Sequence, residues 1–396
     1  MGRFIRDWQQ AFRRRGGERR LRQCRMTVEA LEERALLSAA PHLGAHGHEL
    51  AHHAKKAVPG YQQTNLVSDL SSKGAQVVDS NLKDPWGMAF STTSPFWISD
   101  QATGLATLYS VNQSGTPTKL SLVVTIPGGH PTGQVVNTTG SKSDFLVPYP
   151  DGSDLPAGFI FATLQGTIAA WNAGPNPKTS LHTTAVTVVT QPGAEFTGLA
   201  LGSSGGQNLL YAANGGSSPG IDVYNSSFTK VTLTGNFVDP KLSKGAFKKF
   251  VPYNIQNING QLFVTYRGSS SFSAKGGAVA EFNPDGTFVK QIASNSGKGN
   301  LAAPWGVTVA PTDFGKFSNA LLVGNFGNGR ISAYNAAGKF LGQLADVHKK
   351  PIVIPFLWAI GFGNGQGAGP TSTLFFDAGI NNETDGIFGS LKAVTS

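Results

Sequence analysis

Three side chains of the kinds that bind metal ions or transfer protons occupy equivalent positions in a repeated strand motif. Asp84, His130 and Glu195 each stand directly before one copy of the motif. If the copies are blades of one ring, these side chains share one rim of a central channel, as a metal site or an acid–base pair requires. The alternative is ordinary loop polarity, with Asp84 and Glu195 capping turns. The other copies have Val251, Ala303 and Phe356 at this position.

A second set of aligned polar residues closes the first strand of each hairpin. It consists of Asp100, Asn214, Tyr266, Asn325 and Asp377. Their oxygens suit Ca²⁺ or a polar channel lining, but such residues more often bond the backbone of turns. We expect the structural role.

A third set is aromatic, and it lies inside the motif itself. It contains Trp86, Tyr253, Trp305 and Trp358, with Thr132 and Thr197 in the remaining copies. Tryptophan faces near a concave rim stack on sugar rings or apolar ligands, whereas the same rings can instead fill the channel as core. Candidate ligand-binding residues at the rim are therefore Trp86, Trp305, Trp358, Asp84, His130 and Glu195.

These alignments exist because a unit of about fifty residues repeats six times. Each copy begins with a short apolar strand entered through a Trp-Gly or Thr-Gly step or a looser equivalent. Positions 86, 132, 197, 253, 305 and 358 mark the copies, and their spacings are 46, 65, 56, 52 and 53 residues. Six such units are typical of a six-bladed β-propeller.

The rest of each copy has the pattern of β-hairpins. Runs of β-branched and aromatic residues, such as 96–100 and 105–109, are separated by glycine turns. The links Asn-Pro-Asp-Gly and Asn-Ala-Ala-Gly are hairpin turns, and nothing in the body reads as a sustained amphipathic helix. The sequence predicts an all-β fold, with a six-bladed β-propeller over residues 61–396.

The two ends of the body complement each other. The sixth copy ends after about three strands, at 391–394. The stretch 61–68 precedes the first copy and has no blade of its own. We expect that stretch to supply the outer strand of the last blade, closing the ring and hiding two sheet edges.

Composition excludes several classes of protein. The 40% of hydrophobic residues can form a large core, and no apolar run reaches the roughly 18 residues of a membrane helix. Cys24 is the only cysteine, which excludes an internal disulfide framework and a CxxC zinc site. The body contains no G-x-S-x-G nucleophile elbow, P-loop or H-E-x-x-H motif.

The net charge of +9 comes mainly from the first sixty residues, which hold twelve of the 32 Lys and Arg but six acids. The arginine clusters 13–15 and 19–20 suit nucleic acid or anionic lipid, although a targeting leader over 1–40 is the favoured interpretation. We expect this leader to be flexible or helical. Residues 41–60 are interpreted as a linker. They include a cluster of five histidines, for which binding of Zn²⁺, Cu²⁺ or Ni²⁺ is the alternative role: His42, His46, His48, His52 and His53.

Residues 28–39, Val-Glu-Ala-Leu-Glu-Glu-Arg-Ala-Leu-Leu-Ser-Ala, resemble the LEPR-XLL leader of surface and exported proteins of planctomycete bacteria. Glu33 stands where that motif has proline. The resemblance implies an exported protein at the cell surface, in the envelope or outside the cell.

Residues 65–70, 81–90, 95–100 and 104–109 are similar to an uncharacterised family of exported bacterial proteins with NHL/SMP-30-like six-bladed propellers. SMP-30-like gluconolactonases bind a divalent metal through Glu, Asn and Asp where the inner strands begin. Only Asp84, Glu195 and Asn254 match such ligands, which puts lactonase activity in doubt. Chemistry like that of virginiamycin lyase needs a rim histidine, for which His130 is the candidate.

We therefore expect a non-enzymatic exported module that binds a protein or glycan at a rim or through the loops 203–220 and 268–277. The alternative is a metal-dependent hydrolase or lyase that uses Asp84, His130 and Glu195. Nucleic-acid binding rests on the leader alone and is not expected of the mature body. The sequence implies no cofactor, apart from the divalent metal of the enzyme alternative, and no transmembrane segment.

Overall fold

The computed structural model describes residues 59–245, 249–268, 276–297 and 299–395. Six sheets surround a central channel, and the fold is almost entirely β, which confirms the predicted six-bladed propeller. The leader 1–40, and with it the LEPR-XLL-like segment, lies outside the described residues. So do the five clustered histidines of the linker.

Strands are numbered along the chain, which begins with β1 (Pro59–Ser68) and β2 (Val77–Val78). Each of the next five blades has four antiparallel strands that run outward from the channel in chain order. Blade 1 consists of β3 (Pro85–Ala89), β4 (Phe96–Asp100), β5 (Leu105–Val111) and β6 (Pro117–Thr125).

Blade 2 is interrupted by an additional hairpin. Its four strands are β7 (Pro131–Val136), β10 (Phe159–Thr163), β11 (Thr167–Trp171) and β12 (Val186–Thr190). The inserted hairpin consists of β8 (Leu146–Pro148) and β9 (Asp154–Pro156). This insertion contributes to the long 65-residue spacing between the second and third copies of the motif.

Blades 3 to 5 have the simple four-stranded form. Blade 3 contains β13 (Phe196–Ser204), β14 (Gln207–Asn214), β15 (Gly220–Asn225) and β16 (Lys230–Val231). Blade 4 contains β17 (Phe250–Ile258), β18 (Gln261–Gly268), β19 (Gly277–Phe282) and β20 (Phe288–Asn295). Blade 5 contains β21 (Pro304–Val309), β22 (Leu321–Asn325), β23 (Ile331–Tyr334) and β24 (Phe340–Gln343).

Blade 6 joins the two ends of the chain, as predicted. It contains β25 (Leu357–Phe362), β26 (Thr373–Ala378) and β27 (Ile387–Thr395), followed by β1 and β2. β1 pairs antiparallel with β27 from Pro59–Thr395 to Ser68–Ile387, and β2 adds a parallel fifth strand at the outer edge. β1 starts at Pro59, within the range assigned to the linker, because its pairing extends to the end of β27.

Short helical turns connect some of the strands. Two 3-10 turns cover Ser71–Lys73 and Gly315–Phe317. A further turn, Ile380–Glu383, lies between β26 and β27.

The glycine of the repeat motif is required because neighbouring inner strands approach very closely. A Cβ atom on Gly133 would lie 2.5 Å from Cα of Gly198, and one on Gly198 would lie 2.8 Å from Cα of Asn254. Atoms cannot be this close without a backbone shift, so the Trp-Gly and Thr-Gly steps follow from the narrowness of the ring.

Apolar side chains fill the spaces between neighbouring blades and hold the ring together. Between blades 6 and 1, the Phe96 ring lies 4.7 Å from that of Phe375 and 5.0 Å from that of Phe388, measured between centroids. Similar clusters occupy the spaces between blades 1 and 2, 2 and 3, 3 and 4, and 5 and 6.

The expectation of a long interaction loop over 203–220 is wrong. β13 continues to Ser204, β14 occupies Gln207–Asn214, and β15 begins at Gly220. The glycine and serine content of this stretch comes from two tight connections. In the other predicted loop, 268–277, residues 269–275 lie outside the described residues.

Candidate functional site

The channel has two ends, which we call the first rim, where the inner strands begin, and the second rim, where they end. The residue that precedes each inner strand has a left-handed backbone in four blades, with φ of 45° at Asp84, 52° at His130, 46° at Ala303 and 55° at Phe356. Asp84 and His130 of the predicted trio share this conformation, whereas Glu195 does not.

The side chains of the predicted trio nevertheless have different environments. Asp84 is buried, whereas His130 and Glu195 are exposed. No group of three or more His, Cys, Asp or Glu residues in the described parts of the chain is placed to hold a metal ion. Equivalent positions in the motif do not group the three side chains as metal ligands, so the described residues do not form the metal site of the enzyme alternative.

Asp84 has a partner that the sequence did not indicate. Asp84 Oδ1 and Glu383 Cγ both lie within 3.4 Å of the place that a Cβ on Gly379 would take. Burial, and secondly the charge of Glu383, raise the pKa of Asp84 well above its usual range, while the bond from Trp358 opposes the rise. Burial also raises the pKa of Glu383. Two adjacent carboxyl groups with raised pKa values are a potential acid–base pair.

The connection that carries Glu383 has an unusual backbone. Asn381, Asn382 and Glu383 have positive φ values of 55°, 58° and 66°. Asparagine tolerates this conformation better than most residues, which is the only sequence signal for the turn. This turn places Cγ of Glu383 beside Gly379, where Oδ1 of Asp84 also lies.

The aromatic residues of the motif fill the channel just inside the first rim. Trp86 and Trp358 stack with ring centroids 3.7 Å apart, and Phe326 lies 4.2 Å from Trp358. Trp305 and Tyr253 meet the edges of the same ring at 5.9 Å and 5.7 Å. All five side chains are buried. This is the packing of the channel-filling alternative, and a ligand-stacking role for Trp86, Trp305 and Trp358 stays a prediction that requires these faces to be uncovered.

Hydrogen bonds fix the rings of this aromatic plug. Trp305 Nε1 donates to the carbonyl of Thr197 at 3.0 Å, reaching from blade 5 to blade 3. Trp358 Nε1 donates to Asp84 Oδ1 at 3.1 Å. Trp86 Nε1 is buried and has no hydrogen-bond partner among the described residues.

Arg267 is a second rim residue that sequence reasoning missed. This buried side chain lies at the end of β18, with its guanidinium carbon 4.9 Å from the Tyr253 ring centroid. Burial raises the pKa of Tyr253; Arg267 opposes the rise, whereas Glu383 and Asp84 add to it. Arg267 ends an apolar strand pattern just before Gly268, and its sequence position gives no sign of the contact.

The second set of polar residues has the structural role that was expected in three blades. Asn214 Oδ1 accepts the Glu195 N–H at 3.1 Å, Asn325 Oδ1 accepts the Ala302 N–H at 2.9 Å, and Asp377 Oδ1 accepts the Ala359 N–H at 2.7 Å. These bonds tie the end of the second strand to the start of the inner strand. Asp100 differs, since its Oδ2 accepts the Thr107 hydroxyl at 2.7 Å, and Tyr266 donates to the carbonyl of Phe237.

The three body histidines remain separate. His182 Nε2 lies 3.0 Å from Asp151 Oδ2, and its ring stacks on Tyr149 at 3.6 Å. These contacts join the segment before β12 to the inserted hairpin of blade 2. His130 is exposed directly before the inner strand of the same blade, and His348 is exposed in the connection that follows β24 of blade 5.

A cavity of about 470 Å³ opens at the second rim, on the side of the channel away from the plug. Its walls come from the inner strands of blades 1 to 4 and the turn after β17. Its lining residues carry no charge; they are Met88, Ala89, Phe90, Gln134, Val135, Val136, Thr138, Leu199, Ala200, Leu201, Gln256, Asn257, Asn259 and Gly260.

Gln134 anchors the polar side of this cavity. Its Nε2 donates to the carbonyls of Gly87 at 2.7 Å and Trp97 at 2.6 Å, and its Oε1 is buried without a hydrogen-bond partner among the described residues. Asn257 Nδ2 donates to the carbonyl of Leu201 at 2.7 Å. The amide groups are therefore held in place by neighbouring blades.

Comparison with known sequences finds relatives of uncharacterised function. The chain is 28% identical over 357 residues to protein R648 of Acanthamoeba polyphaga mimivirus, covering 85% of this chain and 81% of that protein. Protein L690 of the same virus is 26% identical over 356 residues, covering 85% of this chain and 87% of that protein. No family model matches the sequence.

Solved structures also align with the chain, at low sequence identity. The gluconolactonase XC5397 from Xanthomonas campestris aligns with a TM-score of 0.47 at 12% identity, covering 87% of this chain and 99% of that one. Streptogramin B lyase aligns with a TM-score of 0.42 at 15% identity, covering 85% of this chain and 98% of that one. Within the described residues, no helix is long and apolar enough to cross a membrane.

Proposed function

We propose that this protein is a non-enzymatic binding module that holds part of a protein or glycan in the cavity at the second rim. The observation that carries the proposal is the asymmetry of the channel. Aromatic side chains fill its first end, whereas a cavity of about 470 Å³ remains open at the other. This volume lies within the roughly 300–1,000 Å³ of small-ligand sites.

The chemistry of the lining supports a neutral ligand group. Phe90 and Met88 offer an apolar surface, while Gln256 and Asn257 offer amides that both donate and accept hydrogen bonds. Gln134 adds only an acceptor, its Oε1, because both of its amide hydrogens are donated to the carbonyls of Gly87 and Trp97. An uncharged sugar or an amide-rich peptide loop matches such a lining, because each presents apolar faces and hydrogen-bonding groups together. A phosphate or carboxylate would be buried there without a countercharge, which is unfavourable.

The experiment is a binding screen on arrays of neutral glycans and of peptides with the full chain. Gln256→Trp places a ring at the cavity mouth, and the exposed Gln113→Trp adds the same ring to an outer turn of blade 1. Array hits should disappear with Gln256→Trp and persist with Gln113→Trp. Hits that survive Gln256→Trp, or arrays without hits, would contradict the proposal.

A second candidate function is acid–base catalysis at the first rim, and the Asp84–Glu383 pair favours it. Its raised pKa values and the position of both side chains beside Gly379 are the features of a hydrolase or lyase site. Hydrolysis of a lactone or opening of a streptogramin B ring by the full chain, lost in Glu383→Gln, would establish it. Stoichiometric divalent metal in the purified protein, lost in Glu195→Gln, would restore the metal-dependent version. If the purified protein contains no metal and has neither activity, the catalytic function is rejected and the binding function remains.

We also propose that the protein is exported and retained at a cell surface. The support is the resemblance of residues 28–39 to a surface-protein leader. Cell fractionation after expression in a planctomycete host, with and without residues 1–40, tests this. The full chain should reach the envelope or medium and the shortened chain should stay inside; identical distributions would exclude a targeting role.

A further inference from the structure

The outer edge of blades 5 and 6 carries a groove that belongs to neither rim of the channel. Two cavities of about 520 and 780 Å³ adjoin there and share Tyr61, Asp346 and Pro351 in their linings. We call them together the perimeter groove. It runs between the start of β1 and the connection that follows β24.

Apolar side chains are exposed at this groove to an unusual degree. Phe340 and Val353 line it and are 36% and 49% exposed, and Leu341 beside them is 43% exposed. They are three of the seven large hydrophobic side chains that are exposed in the described residues. Exposed apolar side chains scattered singly are ordinary, whereas a group beside a groove marks an interaction surface.

Three lysines with no ion-pair partner among the described residues surround the same groove. Lys316, Lys349 and Lys350 line it and are exposed, and none forms a salt bridge with another described residue. The Lys316 ammonium lies 4.9 Å from the centroid of the Phe317 ring in the groove wall. The acidic residue of the lining, Asp346, caps a turn and does not pair with these lysines. Its Oδ1 accepts the N–H groups of His348 and Lys350 at 2.9 Å.

The sheet beside the groove offers backbone groups as well. β24 is the outermost strand of blade 5 and, among the described residues, pairs only with β23. On blade 6 the outer strand β1 carries β2 as a parallel fifth strand. A free edge next to apolar and basic side chains suits an extended peptide, which gains affinity from backbone hydrogen bonds and specificity from its side chains.

We propose that the perimeter groove binds an extended segment of a partner protein in which apolar side chains alternate with carboxylates. The apolar side chains pack on Phe340 and Val353, and the carboxylates face Lys316, Lys349 and Lys350. Charge complementarity selects an acidic segment, because a basic one would meet three like charges. This surface is separate from the cavity at the second rim and does not depend on the function proposed for that cavity.

The test uses the full chain and short fluorescent peptides that alternate Leu with Glu, Leu with Gln, or Leu with Lys. Fluorescence anisotropy should show binding of the Leu/Glu peptide that weakens with added salt, as surface charge pairs require. The Leu/Gln peptide should bind at least about tenfold more weakly, and the Leu/Lys peptide should not bind. Equal binding of the Leu/Gln peptide, or no binding of the Leu/Glu peptide, would overturn the proposal.

Two sets of charge reversals localise the effect. Lys316→Glu, Lys349→Glu and Lys350→Glu together should abolish binding of the Leu/Glu peptide. The matched control, Lys142→Glu, Lys178→Glu and Lys244→Glu, changes the charge equally at exposed lysines outside the groove and should retain it. Equal losses in both sets would reject the groove as the site. A concentration-dependent dimer in sedimentation that only the first set abolishes would assign the groove to a second copy and overturn the peptide proposal.

Discussion

Trp358 of blade 6 donates its indole N–H to Asp84 of blade 1 at 3.1 Å, so a buried hydrogen bond joins the last blade to the first. The pairing of β1 with β27 closes the ring at its perimeter, and this bond closes it again beside the axis. The carboxyl group that accepts the bond is the one predicted for a metal site. Instead it accepts the indole N–H of Trp358, and the charge of Glu383 helps to raise its pKa.

Asp84→Asn should make stability less dependent on pH. The folded state raises the pKa of Asp84 well above its usual value, so it binds the proton more tightly than the unfolded chain does. The cost of the buried charge is absent below the unfolded pKa of about 4 and grows as pH rises towards the folded pKa. Asparagine still accepts the bond from Trp358. As pH rises through that window, the free energy of unfolding of the wild type should fall by up to about 1.4 kcal/mol per pH unit relative to that of the variant.

Urea unfolding across the acid-to-neutral range measures this difference. Asp313→Asn is the matched control, because Asp313 is exposed. A difference between wild type and Asp84→Asn that stays constant with pH would show that the carboxyl group of Asp84 is not held in a raised-pKa environment.

Trp358→Phe should destabilise the protein more than Trp86→Phe does. Both substitutions replace an indole of the same stack by a smaller ring. Of the two, Trp358 Nε1 alone has an acceptor among the described residues, and its loss leaves Asp84 Oδ1 buried without that donor. The expected difference in the free energy of unfolding is about 1–3 kcal/mol. Equal losses in urea titrations of the two variants would show that ring packing alone matters.

Tyr61→Phe should loosen the closing strand. The Tyr61 hydroxyl donates to the carbonyl of Phe314 at 3.0 Å and accepts the Phe317 N–H at 3.1 Å, both buried. Removal of this hydroxyl should cost about 1–3 kcal/mol. Tyr149→Phe removes a partly exposed hydroxyl in blade 2 and should cost less.

Deletion of residues 61–70 should have a larger effect than Tyr61→Phe, since it removes most of the outer strand of blade 6 and uncovers the edge of β27. Thermal unfolding of the shortened chain should occur at a clearly lower temperature and lose cooperativity. Unchanged melting would mean that β1 contributes nothing to ring closure.

Gly198→Ala should force two inner strands apart. The new Cβ would lie 2.8 Å from Cα of Asn254 and closer still to its side-chain oxygen. The expected loss is about 1–3 kcal/mol, as for other overpacked sites. Gly220→Ala is the control, because no atom lies within 4 Å of its Cβ position. Similar unfolding curves for the two variants would indicate that the ring can widen freely.

The fold was readable from the sequence because each blade repeats the same local rules. The Trp-Gly and Thr-Gly steps mark inner strands, and glycine turns mark hairpins. The closing strand was predictable as well, because the stretch 61–68 has no blade of its own and the sixth copy is one strand short. The 203–220 stretch was misread, since composition alone cannot separate a flexible loop from strands joined by tight glycine turns.

The candidate sites were predicted less well, because side-chain environment depends on contacts between blades. Asp84 and Glu195 share a backbone position, yet Asp84 is buried by the Gly379 connection while Glu195 stays in solvent. Glu383 reaches the rim through a left-handed turn, and Arg267 occupies a strand position of apolar pattern. The cavity at the second rim forms where the ends of the inner strands of blades 1 to 4 diverge. Residue types alone do not reveal this divergence.

The closing pair of strands also determines when the fold can be completed during synthesis. Ser68 Oγ donates to the carbonyl of Gly386, 318 residues later in the chain. A ribosome therefore delivers β1 long before its partner exists, and the growing chain carries an unpaired strand through almost the whole of translation. Such a strand can pair with the wrong edge or with another chain. Release of the last strand from the ribosome is thus the event that commits the molecule to its native ring.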